Sequence, residues 1–400
     1  MSGYVGNKRS VSFVSAELPI RKGLESIVEE DGSYRLLDGA SLKKSDGSTV
    51  IHSDGTIEGV DLSPIQNQID SIEADITSLN SSVDLVEASV NQIPPRLESF
   101  RNKIINGDMQ INQRGNGTAI AGTFTYTTDR WYVYCVAAGC SYSQVDTPTG
   151  KALEVIPDSG TVNQIIGQKI ENVNCRKLAN QTVIISGKVY IDDATGVTFN
   201  TNVYSAASTN VSYGSKVDFS SDLTSGEYVS FSEQVTLPAD AVNGVEVDFS
   251  FLNAGGRTIR VTDFQFEEGP VATPFEHRPL SVELAMCQRY FQKSYNLNIP
   301  IGTPTGTGNS GYVEWNWGAM ATYGSVQIPF RQSMRVSPTF SIYNIGSGIL
   351  NGFAYWDGSQ TVQTTSTVGS FQFGENWAIW FLDGTVRSNV QFHWSADAEL

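Results

Sequence analysis

Histidine and cysteine are scarce in this chain, with three and four among 400 residues. His52, His277 and His393 are dispersed among turn and strand contexts, which argues against a histidine-based metal centre within one chain. Cys135, Cys140, Cys175 and Cys287 show no C-x-x-C spacing and are too few for a disulfide framework. They read as buried free thiols of a protein made in a reducing cytoplasm. No apolar run approaches the roughly 20 residues that span a bilayer, and Val11 to Val14 is too short and polar for a signal segment. Positive charge is also thin: 26 Lys and Arg against 42 Asp and Glu leave a net charge of −16. That balance argues against a phosphate-backbone binder and against non-specific adhesion to an anionic membrane. H-E-x-x-H, G-x-S-x-G and P-loop motifs are missing. The stretch from Gly306 to Gly311 matches G-x-G-x-x-G, but it follows a Pro-containing loop and precedes a strand-like run, so it reads as a connector.

What is present is a heptad. Apolar residues fall at Leu62, Ile65, Ile69, Ile72, Ile76, Leu79, Val83, Val86, Val90, Ile93 and Leu97, with gaps alternating strictly between three and four. The spacing predicts a coiled-coil helix, because an ordinary surface helix carries a wider stripe of 3.6 period. Ser63 and Pro64 mark its start, and Pro94-Pro95 its stop. Both seam positions carry mostly β-branched residues, which shifts the preference from dimers toward trimers or higher. No Lys or Arg lies between Lys44 and Arg96, so charge pairs across the seam are lacking and the apolar seam must supply the stability. One chain cannot bury such a seam, and a parallel homotrimer is expected. Phe100 and Ile104 continue the phase past the prolines, which would carry the seam into the first strand that follows.

The rest of the chain reads as mainly β. Residues 1–60 contain Asp31-Gly32, Asp38-Gly39, Asp46-Gly47 and Asp54-Gly55, hairpin-type pairs between short runs, and suggest an N-terminal attachment region of small hairpins. Residues 61–97 form the stem. Residues 98–280 alternate with period two, as in Val245, Val247, Phe249 and Phe251, and predict an antiparallel sandwich or jelly roll. A short connecting helix follows over 281–294, capped by Ser281. Residues 295–400 hold six of the seven Trp and no Lys, and read as a second, aromatic β-rich domain.

Several segments resemble a known family in combination. They are NKIINGDMQINQRGNG from Asn102, Thr128-Asp129-Arg130-Trp131, FQFEEGPVATPFEHRP, ELAMCQRYFQKS, FRQSMRVSPT and the terminal WSADAEL. Together they resemble phage tail-fibre and related virion appendage proteins over most of residues 101–400. The resemblance implies an elongated homotrimeric receptor-binding fibre with a carbohydrate-binding-like sandwich and a distal β-rich tip. The residues can also be read singly. Asn106-Gly107-Asp108 is a tight turn in which Gly supplies positive φ. Arg130, beside Asp129 and Trp131, is placed to form an ion pair or to stack on a ring, as scaffold.

In the tip, Tyr355, Trp356 and Asp357 lie at an Asp-Gly turn, and Trp315 and Trp317 share a face of a regular strand. A loop-tip aromatic beside a carboxylate suits a receptor site, so these five are the candidate receptor-binding residues. The expected function is a tail fibre located in the virion. It would dock through residues 1–60 on phage tail or adaptor proteins and bind a host surface glycan or outer-membrane protein. It would bind no nucleic acid, enter no membrane and need no cofactor or metal. No catalytic residues are expected. Two alternatives stand: a tailspike-like polysaccharide hydrolase using carboxylates such as Glu314, Asp357 and Glu375, or a head or collar fibre that touches no receptor.

Overall fold

A computed structural model of the chain describes residues 26–28, 34–36, 42–43, 49–51, 63–92, 100–206, 211–214, 216–306, 313–316, 323–356, 360–364, 369–383 and 389–400. They fall into two units, Met1–Ala88 and Ser89–Leu400.

The first unit opens with two antiparallel hairpins. β1 (Ser26–Val28) pairs with β2 (Tyr34–Leu36), and β3 (Leu42–Lys43) pairs with β4 (Thr49–Ile51). The pairs Asp31-Gly32, Asp38-Gly39, Asp46-Gly47 and Asp54-Gly55 lie outside the described residues. Helix α1 covers Ser63–Gln92. The hydroxyls of Thr77, Ser81 and Ser82 donate to carbonyls four residues back, so the helix satisfies these polar groups on its own backbone. Ile65, Ile69, Ile72, Ile76, Leu79, Val83 and Val86 are all exposed in the single chain, Leu79 by 64%. Leu62, Ile93, Pro94, Pro95 and Leu97 lie outside the described residues, as does the side chain of Val90.

The second unit is built mainly of strands. The sandwich strands are β5 (Gly117–Ala119), β6 (Thr125–Tyr126), β7 (Tyr132–Val136), β8 (Cys140–Thr147), β9 (Gly150–Pro157), β10 (Asn163–Ile170), β11 (Thr182–Ile191), β12 (Thr198–Ser205), β13 (Val217–Asp218), β14 (Tyr228–Thr236), β15 (Val245–Leu252) and β16 (Ile259–Glu268). One sheet has the order β13-β12-β15-β10-β7-β6 and the other β14-β11-β16-β9-β8-β5. From β9 to β16 the chain crosses between the sheets in the sequence of two nested Greek keys, which is a jelly roll. The alternation of β15 produces this directly: Val245, Val247, Phe249 and Phe251 are fully buried while Glu246 and Asp248 face outward. Phenylalanines close the core, with Phe249 stacked on Phe264 at 4.1 Å and Phe199 on Phe251 at 4.8 Å. All four cysteines are buried and free.

Helix α2 (Asn172–Cys175) is a single turn, and α3 (Leu280–Gln288) follows the sandwich. Pro279, not Ser281, occupies the N-cap of α3, and no side chain caps it. The helix also stops earlier than expected, because Phe291–Lys293 is recruited as β17 to pair with the last strand. The remaining strands are β18 (Val313–Asn316), β19 (Tyr323–Pro329), β20 (Thr339–Tyr343), β21 (Ala354–Trp356), β22 (Thr361–Gln363), β23 (Ser370–Phe373), β24 (Trp377–Asp383) and β25 (Asn389–Asp397). β25 pairs with β17, β18, β20 and β21, and a second sheet runs β19-β24-β23. Trp380 and Trp394 fill the core of this region, so much of its aromatic load is packing.

Two local expectations are corrected. Ile104 is fully buried in the sandwich core, so it does not extend the helical seam. In the Asn106-Gly107-Asp108 turn, positive φ falls on Asn106 at 59° and Met109 at 58°. Gly107 is needed for a different reason: a Cβ there would lie 2.2 Å from the Phe264 carbonyl oxygen, where the two backbones touch.

Candidate functional site

The family-like segments converge on a buried junction. Gln113 donates to the Asp129 carboxylate through its backbone N–H and its side-chain amide, both at 2.6 Å. Burial pushes the Asp129 carboxyl up to about 6 despite those bonds. Arg130 pairs with Glu399 and lies over the Tyr290 ring at 3.4 Å; Arg114 pairs with Asp397 at 2.7 Å and lies over Phe291 at 3.9 Å. The Lys293 ammonium donates to the carbonyls of Gln113, Leu297 and Ile299, and its burial lowers its pKa to about 8. Each charged group here has a partner, with only the Nε atoms of Arg114 and Arg130 left unmet, so the junction is scaffold that ties sandwich, α3 and chain end together.

The outward face of the first sandwich sheet is different. Strand alternation sends Tyr132 and Tyr134 of β7, Ile165 and Lys169 of β10, Glu246 and Asp248 of β15, and Asn202 and Tyr204 of β12 to one side. Register aligns them in rows: Tyr132, Gly167, Asp248 and Asn202 in one; Lys169, Glu246 and Tyr204 in the next. Phe124, 56% exposed, stands over this face with its ring 5.1 Å from Tyr132 and 4.7 Å from Tyr134. The Lys169 ammonium lies 5.6 Å from the same ring.

The Tyr132 hydroxyl joins the two carboxylates, at 2.6 Å from Glu246 and in direct contact with Asp248. Gly167 makes this possible, since a Cβ there would sit 2.3 Å from the hydroxyl and 2.5 Å from Asp248 Oδ1. One phenol proton cannot serve two carboxylates. Burial, and then the charge of Glu246, raise the Asp248 carboxyl to about 7. A protonated Asp248 donates to the phenol oxygen while the phenol donates to Glu246, which satisfies all three groups. Aromatic rings beside hydrogen-bonding carboxylates can stack on the apolar face of a sugar and accept its hydroxyls.

The tip candidates are placed less tellingly. Tyr355 is half-buried, 5.9 Å from Phe353, and packs against the second core. Trp315 and Tyr355 both register with Val390 of β25, on either side of it. The side chains of Trp315 and Trp356, and the residues Trp317 and Asp357, lie outside the described residues. Glu314 is exposed and accepts from Asn389 and Gln391. The sandwich-face residues escaped the sequence reading. Their only signal was the polar half of the β15 alternation, Glu246 and Asp248, which reads equally as a solvated face.

No family model and no curated protein matches the chain. Solved structures overlap it in part. The enzymatically active domain of bacteriophage CBA120 tailspike protein 4 is 12% identical over 42% of this chain and 21% of that one, with a TM-score of 0.28. The CBM22-1 xylan-binding domain from Paenibacillus barcinonensis Xyn10C is 10% identical over 44% of this chain and 100% of its own, with a TM-score of 0.27. A putative sugar binding protein from Bacteroides thetaiotaomicron is 10% identical over 42% and 99%, with a TM-score of 0.30. The chain thus spans about a fifth of the length of the tailspike domain. Among the described residues no helix is long and apolar enough to cross a membrane, and no group of His, Cys, Asp or Glu could hold a metal ion.

Proposed function

We propose that the chain is a non-enzymatic virion fibre, a phage tail fibre, that recognises a host surface glycan on the outer face of its β-sandwich. The observation that carries this reading is the joining of Phe124, Tyr134 and Tyr204 with the Tyr132-bridged Glu246 and Asp248 on one sheet face. The ordered segments between Asn102 and Leu400 that resemble tail-fibre proteins support the virion setting. Their buried junction explains why such segments go together without being a ligand site. The exposed heptad of α1 supports a parallel homotrimer. Three copies of a shallow sugar site would then gain avidity from shared attachment. Residues 1–60 would hold the fibre to a tail or adaptor protein.

A glycan array probed with the full-length chain tests the reading. Binding to at least one polysaccharide, weakened about tenfold by Tyr134→Ala, is expected, since a stacked ring contributes roughly 1–2 kcal/mol. Release of reducing ends from the bound glycan, lost on substituting one carboxylate such as Glu314, Asp357 or Glu375, would instead establish the hydrolase.

A further inference from the structure

Beside the proposed glycan face lies a polar cleft of about 410 Å³ between the sandwich and the C-terminal region. Its polar lining is Lys169, Glu171, Asn172, Asn243, Arg289 and Arg335. Lys169 belongs to both places, because it lies opposite Glu246 in the sheet and near the Phe124 ring. Three cations line the cleft together with the Glu171 carboxylate and the last residue, Leu400. Glu399, the next acid along, is already held by Arg114 and Arg130.

The partners in the cleft are unevenly used. Glu171 is 6% exposed, and its Oε2 accepts from Arg289 at 3.1 Å. Its buried Oε1 has no close hydrogen-bond partner, while the Tyr290 phenol hydrogen-bonds with the same carboxylate, so the acceptor is only partly met. A partly met buried acceptor calls for a donor such as a hydroxyl. Arg335 spends Nε and one Nη on the carbonyls of Ala398 and Glu399, while the Arg289 side chain is 40% exposed. Lys169 pairs with no carboxylate among the described residues. Lys169 and the exposed part of the Arg289 guanidinium remain able to take a planar anion in charge-assisted bonds.

We propose that this cleft is an acid-sugar subsite, so that the fibre prefers glycans carrying a carboxylate, such as uronic or sialic acid units. The sugar carboxylate binds Arg289 and Lys169, a hydroxyl of the same residue donates to Glu171 Oε1, and neighbouring units run onto the rings of the sheet face. The inference rests on the glycan reading above and adds the chemical class of the ligand.

Calorimetric titration of the full-length chain tests it, with oligogalacturonate, oligomannuronate and oligosialate as probes. Each is paired with its carboxyl-reduced counterpart. At least one acid form should bind about tenfold more tightly than its reduced form, as expected for a charge-assisted pair, and less so at high salt. Arg289→Gln should remove most of that difference while leaving affinity for the reduced form intact, and Lys169→Gln should also narrow the difference. Equal affinity for acid and reduced forms, with Tyr134→Ala weakening both, overturns the acid-sugar subsite and leaves the glycan reading standing. Absence of binding to every acid and reduced oligosaccharide overturns the acid-sugar subsite, and the glycan reading falls with it when the array is blank as well. An acid preference that survives both substitutions overturns the placement in this cleft.

Discussion

The guanidinium of Arg130 lies 3.4 Å over the ring of Tyr290 while one of its nitrogens pairs with Glu399. Arg130 is 1% exposed and adopts a φ of 73°, a left-handed conformation unusual for this residue. The burial of so large a cation is offset by the ring, the carboxylate and the Lys169 carbonyl together. Arg130→Ala would leave Glu399 buried with only Arg114 for company. Its unfolding free energy should fall by about 3 kcal/mol, read from urea denaturation followed by tryptophan fluorescence. Arg130→Lys should lose somewhat less, since it keeps the charge but not the flat stacking surface. A midpoint unchanged in both variants would contradict the role of this residue as a clamp.

Asp248 should make the sandwich sensitive to pH. Its folded pKa of about 7 lies above the ordinary 3.8, so the folded state holds a proton that the unfolded chain releases. The stability it contributes is full below the unfolded value and is lost as pH rises through about 7. Asp248→Asn mimics the protonated acid and can still donate to the Tyr132 oxygen. Thermal midpoints of this variant should decline less than those of the wild type between pH 4 and 8, and a parallel pair of curves would refute the assignment.

His393 acts with the opposite sign. Its ring stacks on Tyr295 at 3.8 Å, and burial lowers its pKa from 6.5 to about 4. Between those values the unfolded chain binds a proton that the folded state refuses, so stability falls as pH drops from 6.5 toward 4. His393→Gln should cost stability at pH 8, where the stacking is lost, yet flatten the acid limb. Titrating the denaturation midpoint from pH 8 to 4 measures both effects.

The α1 seam can be tested without any ligand. Light scattering of the full chain should give three chain masses, and Ile72→Asp with Ile76→Asp should shift it toward smaller species at low concentration. A wild-type monomer would sink the fibre reading. Partial persistence of the trimer in the variant would point to a share of the β-regions in assembly.

Much of the architecture was open to a reading of local pattern. The three-four spacing foretold a helix over Ser63–Gln92, and the alternation around Val245 foretold a strand with a buried side. The site was less legible. Tyr132, Gly167 and Asp248 are neighbours only through sheet register, and each alone resembles an ordinary strand residue. Tip aromatics such as Tyr355 drew attention because turns are visible in sequence, yet Tyr355 leans on a core.

By itself the sequence determined where helix and strands lie, because side-chain periodicity is a property of a few consecutive residues. It also determined that the α1 seam would be unburied in one chain, since no second heptad is present to cover it. Only the tertiary structure decided which polar faces became a platform and which motif residues became scaffold. Arg130 and Glu399 are 269 positions apart, and Phe264 approaches Gly107 through a backbone contact. Such partners are selected by how two sheets and a returning chain end pack in space, and no local period encodes that choice.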